Sequence, residues 1–146
     1  MKKTLLIVGV VLFATLPLAS QAKDDRQKFP IADGLNSPGA QGKLDSGVKL
    51  FWGDQKYPKP TQTYGEFTAN KKTNAFNKSD KEACEWNFAS AVISLQERAR
   101  KEGGNAVVQI HSVYRNDDMV SDTEYECGVG SFVSGVALRG TVVKLP

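Results

Sequence analysis

The stretch Ser79–Arg115, SDKEACEWNFASAVISLQERARKEGGNAVVQIHSVYR, decides the fold. Ser79-Asp80-Lys81-Glu82 has capping-box spacing, a hydroxyl at the N-cap and a carboxylate three residues later. The pattern predicts a helix running to about Glu102. Gly103-Gly104 then offers the left-handed exit that other residues resist. Asn105-Ala106-Val107-Val108-Gln109-Ile110 follows at once and predicts a strand. So short a turn forces helix and strand to pack face to face.

At about 100° per residue, Cys84, Phe88, Ala91, Val92, Leu95 and Ala99 share one stripe, the predicted core face. Trp86 and Ile93 fall nearly opposite, with Ala89 beside them. A second apolar stripe is unusual on a surface helix. Either the chain's own lead-in covers it, with Phe29 and Ile31 packing on Trp86, or Trp86 and Ile93 form a candidate partner surface.

Working outward, residues 1–22 read as a signal peptide. Lys2-Lys3 are the positive start, Leu5 to Leu18 the apolar run, and Ser20-Gln21-Ala22 the small-x-small cleavage site. The run falls short of the roughly 20 residues that span a bilayer. No Cys follows it to carry a lipid. The expected product is periplasmic or secreted after cleavage near Ala22, with no stable membrane anchor. The whole chain has 19 Lys+Arg against 16 Asp+Glu, but Lys2 and Lys3 leave with the signal, so 17 basic residues face 16 acidic ones. Near-neutrality gives nucleic acid no electrostatic footing as a partner. A chain of this length makes one domain with one modest core.

Residues 23–43 are polar, punctuated by proline and glycine, and predict an extended lead-in over the surface of a single domain at 44–146. Leu44–Trp52 alternates as a first strand ending at Gly53-Asp54. Tyr57-Pro58-Lys59-Pro60 makes a stiff connector. Gln62–Thr68 alternates weakly, as an edge strand would. Asn70–Lys78 is a basic, Asn-rich loop, and with the helix N-terminus behind it Lys72, Lys78 and Ser79 form a candidate anion site. Lys78-Ser79 echoes the close of a phosphate loop, G-x-x-x-x-G-K-[ST], but both glycines are missing. Ala106–Tyr114 is apolar enough for a central strand covered on both faces. Arg115–Asp118 predicts a turn. In Thr123–Val129, Tyr125, Cys127 and Val129 share one face, with Glu124 and Glu126 on the other. Val136–Leu145 is the last strand, with Gly140 interrupting it.

Cys84 and Cys127 therefore both face the helix–sheet core, and in an exported chain they predict a disulfide. His111, by strict alternation, lies with Val107, Gln109 and Val113. With no C-x-x-C or H-x-x-x-H spacing it reads as a sheet histidine rather than a metal ligand. No G-x-S-x-G and no dinucleotide fingerprint is present, and Asp117-Asp118 lacks the calcium-loop pattern. Neither catalytic residues nor cofactors are assigned.

Several segments together carry a resemblance: Ser37-Pro38-Gly39-Ala40-Gln41-Gly42-Lys43-Leu44, Asn70-Lys71-Lys72-Thr73-Asn74, Lys78-Ser79-Asp80, Ala83-Cys84, Gly104-Asn105-Ala106-Val107-Val108, Tyr125-Glu126-Cys127 and Gly135–Leu145. The chain resembles a family of small exported bacterial proteins often labelled "excinuclease ATPase subunit", over nearly its whole mature length. With no nucleotide loop and no zinc-module cysteines here, the resemblance implies no excinuclease or ATPase activity. Helix, Gly-Asn-Ala-Val-Val strand and Cys-Gly strand are more weakly similar to the Rcs stress-sensor lipoprotein and to small proteins of the YbjQ type.

The expectation is an α+β domain, one helix over about 79–103 on a small mixed or antiparallel sheet, tied by Cys84–Cys127. Its expected function is a non-enzymatic binding or envelope-associated module whose partner is an envelope protein. The alternative is a small anionic-ligand binder or enzyme at the helix N-terminus.

Overall fold

The computed structural model describes residues 24–146. The signal segment predicted over 1–22 lies outside them. The order is β1 (Asp24–Pro30), α1 (Ile31–Leu35), β2 (Lys49–Trp52), β3 (Gln62–Asn74), α2 (Asp80–Glu102), β4 (Ala106–Ser112), β5 (Glu124–Gly130) and β6 (Val133–Lys144). The long β6 is the spine of one mixed sheet. β3 pairs antiparallel along one of its edges, while β5 and β4 share the other. β1 extends the sheet antiparallel outside β5, and β2 extends it parallel outside β4. The fold is α+β, with α2 packed on one face.

α2 begins and ends as its sequence dictates. The Ser79 hydroxyl accepts the Glu82 amide N–H at 3.1 Å, and Gly103 closes the helix at φ 92. The predicted stripe is buried throughout: Cys84, Phe88, Ala91, Val92, Leu95 and Ala99 meet Val107, Ile110, Val136, Leu138 and Val142. Burying side chains as large as Phe88 and Leu95 stabilises by about 1.5–3 kcal/mol each. Phe88 stacks on Tyr125 at 4.1 Å and on Trp52 at 5.4 Å between centroids. The Cys84–Cys127 disulfide is formed beside this aromatic stack, with Cα atoms 5.9 Å apart.

Residues 24–43 do not trail over the surface. Phe29 stands opposite Tyr125 in the β1–β5 ladder, with ring centroids 5.9 Å apart. Ile31 enters the main core, and Gly34 brings α1 so close that an added Cβ would lie 2.3 Å from the Phe88 ring. Open backbone on β5 and an uncovered Phe88 outweigh the solubility of the segment's polar residues. The first predicted strand is shorter than expected. The carbonyls of Asp45 and Val48 accept from the buried Gln96 amide, which also accepts the Asp45 N–H, so residues 44–48 form a turn against the helix. Conversely, β3 runs through Asn70–Asn74, half of the predicted loop, because β6 is long enough to pair with it.

Two glycine-scale details set the sheet. Gly140 does not interrupt β6 but lies opposite Phe67, where a Cβ would come 2.5 Å from Val107 Cγ1. Its bareness lets β4 side chains close over the strand. Gln109 takes φ 54 and forms a bulge, shifting register between Val108 and His111. Ile110 therefore joins Val107 in the core, and His111 turns to the opposite face across from Arg139. Strict alternation had placed His111 with Val107; the extra residue reverses it.

Candidate functional site

The helix face opposite the core is largely covered. Gly39 approaches so closely that a Cβ there would be 3.2 Å from the Trp86 ring and 3.4 Å from Ala89 Cβ. Lys43 Nζ lies 5.0 Å from the Trp86 ring centroid. Ala89 is fully buried, Ile93 is half-buried, and Trp86 stays 50% exposed. Residues 37–43, rather than the expected Phe29 and Ile31, supply this cover, because those two apolar residues are taken by Tyr125 and the main core. Trp86 and Ile93 are thus not a continuous apolar stripe.

At the helix N-terminus the Ser79 oxygen is committed to capping, and Lys78 Nζ donates to the Asn74 carbonyl at 3.0 Å. Lys72 sits in β3 opposite Gly135. The first turn carries Asp80 and Glu82, whose charge works against a bound anion. Asp80 also accepts from the Gln27 side chain at 3.0 Å. Lys81 bridges Asp33 and Glu85, and its hydrogen bond to Glu85 raises its pKa. The nearby Tyr125 hydroxyl is buried without a partner among the described residues. Desolvation, then the Glu85 and Asp33 carboxylates, raises its pKa, so this phenol stays protonated.

The sheet face away from α2 carries charge. His111 Nδ1 lies 2.8 Å from the Gln109 carbonyl oxygen, so that nitrogen holds the proton and donates. His111 Nε2 is 3.8 Å from Asp118. Arg139 lies 3.7 Å from both Asp118 and Glu66, and donates to the Thr68 hydroxyl at 3.2 Å. Next to it, Tyr114 covers Gly128, where a Cβ would collide at 2.0 Å, and Arg26 and Arg115 each stack on its ring at 5.4 Å. Arg26 also donates to Asp117 at 2.7 Å, which raises the Arg26 pKa. These contacts fasten the 113–119 segment over the sheet. No group of three or more metal-ligating side chains is assembled among the described residues.

The surface that sequence reasoning missed lies where β3 and β6 meet the loops. Ala75 N–H donates to the Phe132 carbonyl at 2.8 Å, carrying the ladder one pair beyond the strands. Phe76 and Phe132 then stack outside it, centroids 6.1 Å apart. They are 58% and 67% exposed, and Val133 is 51% exposed. With Asn74 they line an open depression of about 510 Å³. The available signal was an aromatic residue placed in each of two polar turns, Ala75-Phe76-Asn77 and Ser131-Phe132, where turn chemistry does not call for one.

Among the described residues no helix is long and apolar enough to cross a membrane. No protein-family model, curated protein or solved structure matches this chain.

Proposed function

We propose that this chain is an exported, non-enzymatic binding module that works through protein contacts, with a protein of the cell envelope as partner. Export rests on the Met1–Ala22 pattern and agrees with the disulfide, since such bonds persist in oxidising compartments. One observation carries the binding reading. Phe76, Phe132 and Val133 are three of the five exposed large hydrophobics among the described residues, and they stand together in one stacked cluster. Apolar side chains scattered singly need no explanation, whereas a cluster of rigid aromatics has the composition of an interface anchor. Trp86 and Ile93 are the second, more covered candidate.

The test is a photo-crosslinking residue placed at Phe132 in cells, with Trp86 and Ile93 as parallel positions and exposed Lys59 as control. A discrete adduct from Phe132, lost in a Phe76→Ser background, supports the module. If Phe132→Ser and the Trp86→Ala, Ile93→Ala pair both leave envelope-protein recovery unchanged, the reading fails.

A further inference from the structure

β3 is an outermost strand. It pairs with β6 along one edge, and among the described residues its other edge meets no strand. Which of its backbone groups point outward follows from two hydrogen bonds on β6. The Ala137 and Val143 carbonyls accept from Val113 and Asn105, on the β4 side. The Phe132 carbonyl accepts from Ala75, on the β3 side. Odd residues of β6 therefore serve β4 and even ones serve β3. Through the register Ala69↔Leu138 and Lys71↔Val136, odd residues of β3 bond to β6. The N–H and C=O groups of Thr68, Asn70 and Lys72 point away from the sheet.

This edge borders a cleft of about 350 Å³, lined by the run Phe67–Lys71 on the strand and by Ser94, Leu95 and Arg98 on α2. Its charged side chains among the described residues, Lys71 and Arg98, are both cationic. The Arg98 guanidinium is held flat against Phe67, 4.1 Å from the ring centroid, with Glu102 at 2.8 Å behind it. An edge strand of 13 residues is unusually long to leave open.

We propose that β3 takes up an extended acidic peptide segment as an added strand in this cleft. Main-chain groups of Thr68, Asn70 and Lys72 would pair with its backbone. Its alternate side chains would turn towards α2, where carboxylates meet Arg98 and Lys71. The occupant is chosen by chemistry: a strand satisfies the edge, and acidic residues at every second position complement Lys71 and the Arg98 guanidinium, whose Nε is given to Glu102. The inference rests on the binding-module reading but uses a surface other than Phe76–Phe132, so Phe132→Ser leaves it intact and the two readings fail separately.

The probe is an acetylated and amidated hexapeptide alternating valine and glutamate, with the valine–lysine counterpart as comparison. Amide exchange is followed by NMR on the protein as cells produce it. The expected result is new protection at Thr68, Asn70 and Lys72 with the glutamate peptide. Arg98→Glu or Lys71→Glu should each weaken binding about fivefold or more, since each turns an attraction to the peptide carboxylates into repulsion. Asn70→Pro should abolish the protection while the melting temperature is kept, because proline is tolerated where an edge N–H faces outward. No protection at millimolar peptide overturns the proposal. Equal binding of the lysine peptide overturns the acidic class. Protection that appears without peptide and grows with protein concentration assigns the edge to a second copy of this chain and overturns it too.

Discussion

Removing the disulfide should open one particular part of the molecule. β1 and β5 pair along seven residues, from Asp24↔Gly130 to Pro30↔Glu124, yet among the described residues the β5–β6 ladder has two pairs, Gly128↔Gly135 and Val129↔Ser134. The β1–β5 ribbon is therefore tied to the domain largely by side chains: the Phe88–Tyr125 stack, the Glu126 N–H to Ser112 bond, the Gln27–Asp80 bond and the covalent Cys84–Cys127 bridge. The bridged residues are 43 apart in sequence. On the chain-entropy model a loop of that length removes about 13 cal/mol/K from the unfolded ensemble, or roughly 4 kcal/mol at 25 °C. Domains of this kind have about 5–15 kcal/mol in total, so the loss is a large share. The Cys84→Ala, Cys127→Ala double variant should unfold at a urea midpoint about 2 M lower, taking a slope of about 2 kcal/mol/M. Trp52, stacked on Phe88, reports the transition by fluorescence. Amide exchange adds the spatial part: β1 and β5 should lose protection ahead of β3, β4 and β6. A loss below about 1 kcal/mol, or acceleration spread evenly over all strands, would refute the view that this bond secures a weakly joined ribbon.

Four further substitutions probe the core and the β4 bulge. Gly140→Ala pushes a methyl to within 2.5 Å of Val107 Cγ1 and 3.1 Å of Ile110 Cγ1, and should cost about 1–3 kcal/mol by overpacking. Val107→Ala should recover part of that loss in a double-mutant cycle. Tyr125→Phe removes a buried hydroxyl without a partner and should be neutral or stabilising by about 1 kcal/mol in thermal melts. The same variant tests the alkaline limb. The folded chain holds the Tyr125 proton above its ordinary 10.0 while the unfolded chain releases it, so stability is lost as pH rises past the unfolded value, and Tyr125→Phe should flatten that slope. Gln109→Gly relieves a side chain held at φ 54 and should raise stability by about 1 kcal/mol. A decrease would show that the Gln109 side chain, not the backbone, maintains the bulge.

The helix was legible because its signals are local: a cap at Ser79, a period of six apolar residues, a glycine at the exit. The disulfide was legible because strand alternation and helical periodicity point both sulfurs into one interface. The N-terminal strand was not, since Asp24–Pro30 carries no alternation of its own. It is a strand because β5 leaves an edge open and Tyr125 offers a ring to Phe29. His111 was misplaced by one residue of bulge, a backbone event that Gln109 does not announce in its side chain. The turn at 44–48 escaped for a related reason: it is bound by Gln96, 48 residues beyond Val48, and no local window contains both. The exposed pair Phe76–Phe132 was invisible as a pair because its members are far apart in sequence and meet only through the last rung of the β3–β6 ladder.

That rung also says where binding belongs on this fold. On the outward side of α2, residues 37–43 lie over Trp86 and Ala89, with Gly39 and Lys43 on the Trp86 ring. The far face of the sheet is strapped by the 113–119 segment, with Tyr114 seated on Gly128 between two arginines. Each cover depends on a glycine that lets it approach, so each is built into the packing rather than laid over it. Among the described residues the outer edge of β3 has no such cover. Its free edge opens on the Arg98–Lys71 cleft, and its far end runs into the Phe76–Phe132 stack. One surface thus lies along β3 and the other at its end, on a strand whose apolar pattern is among the faintest in the chain. Such a pattern suits a binding strand: β3 places Tyr64, Phe67 and Ala69 against the core, gives Glu66 and Thr68 to Arg139, and turns the main-chain groups of Thr68, Asn70 and Lys72 outward. A strand patterned fully for burial would have no open edge and no free cation to offer a partner.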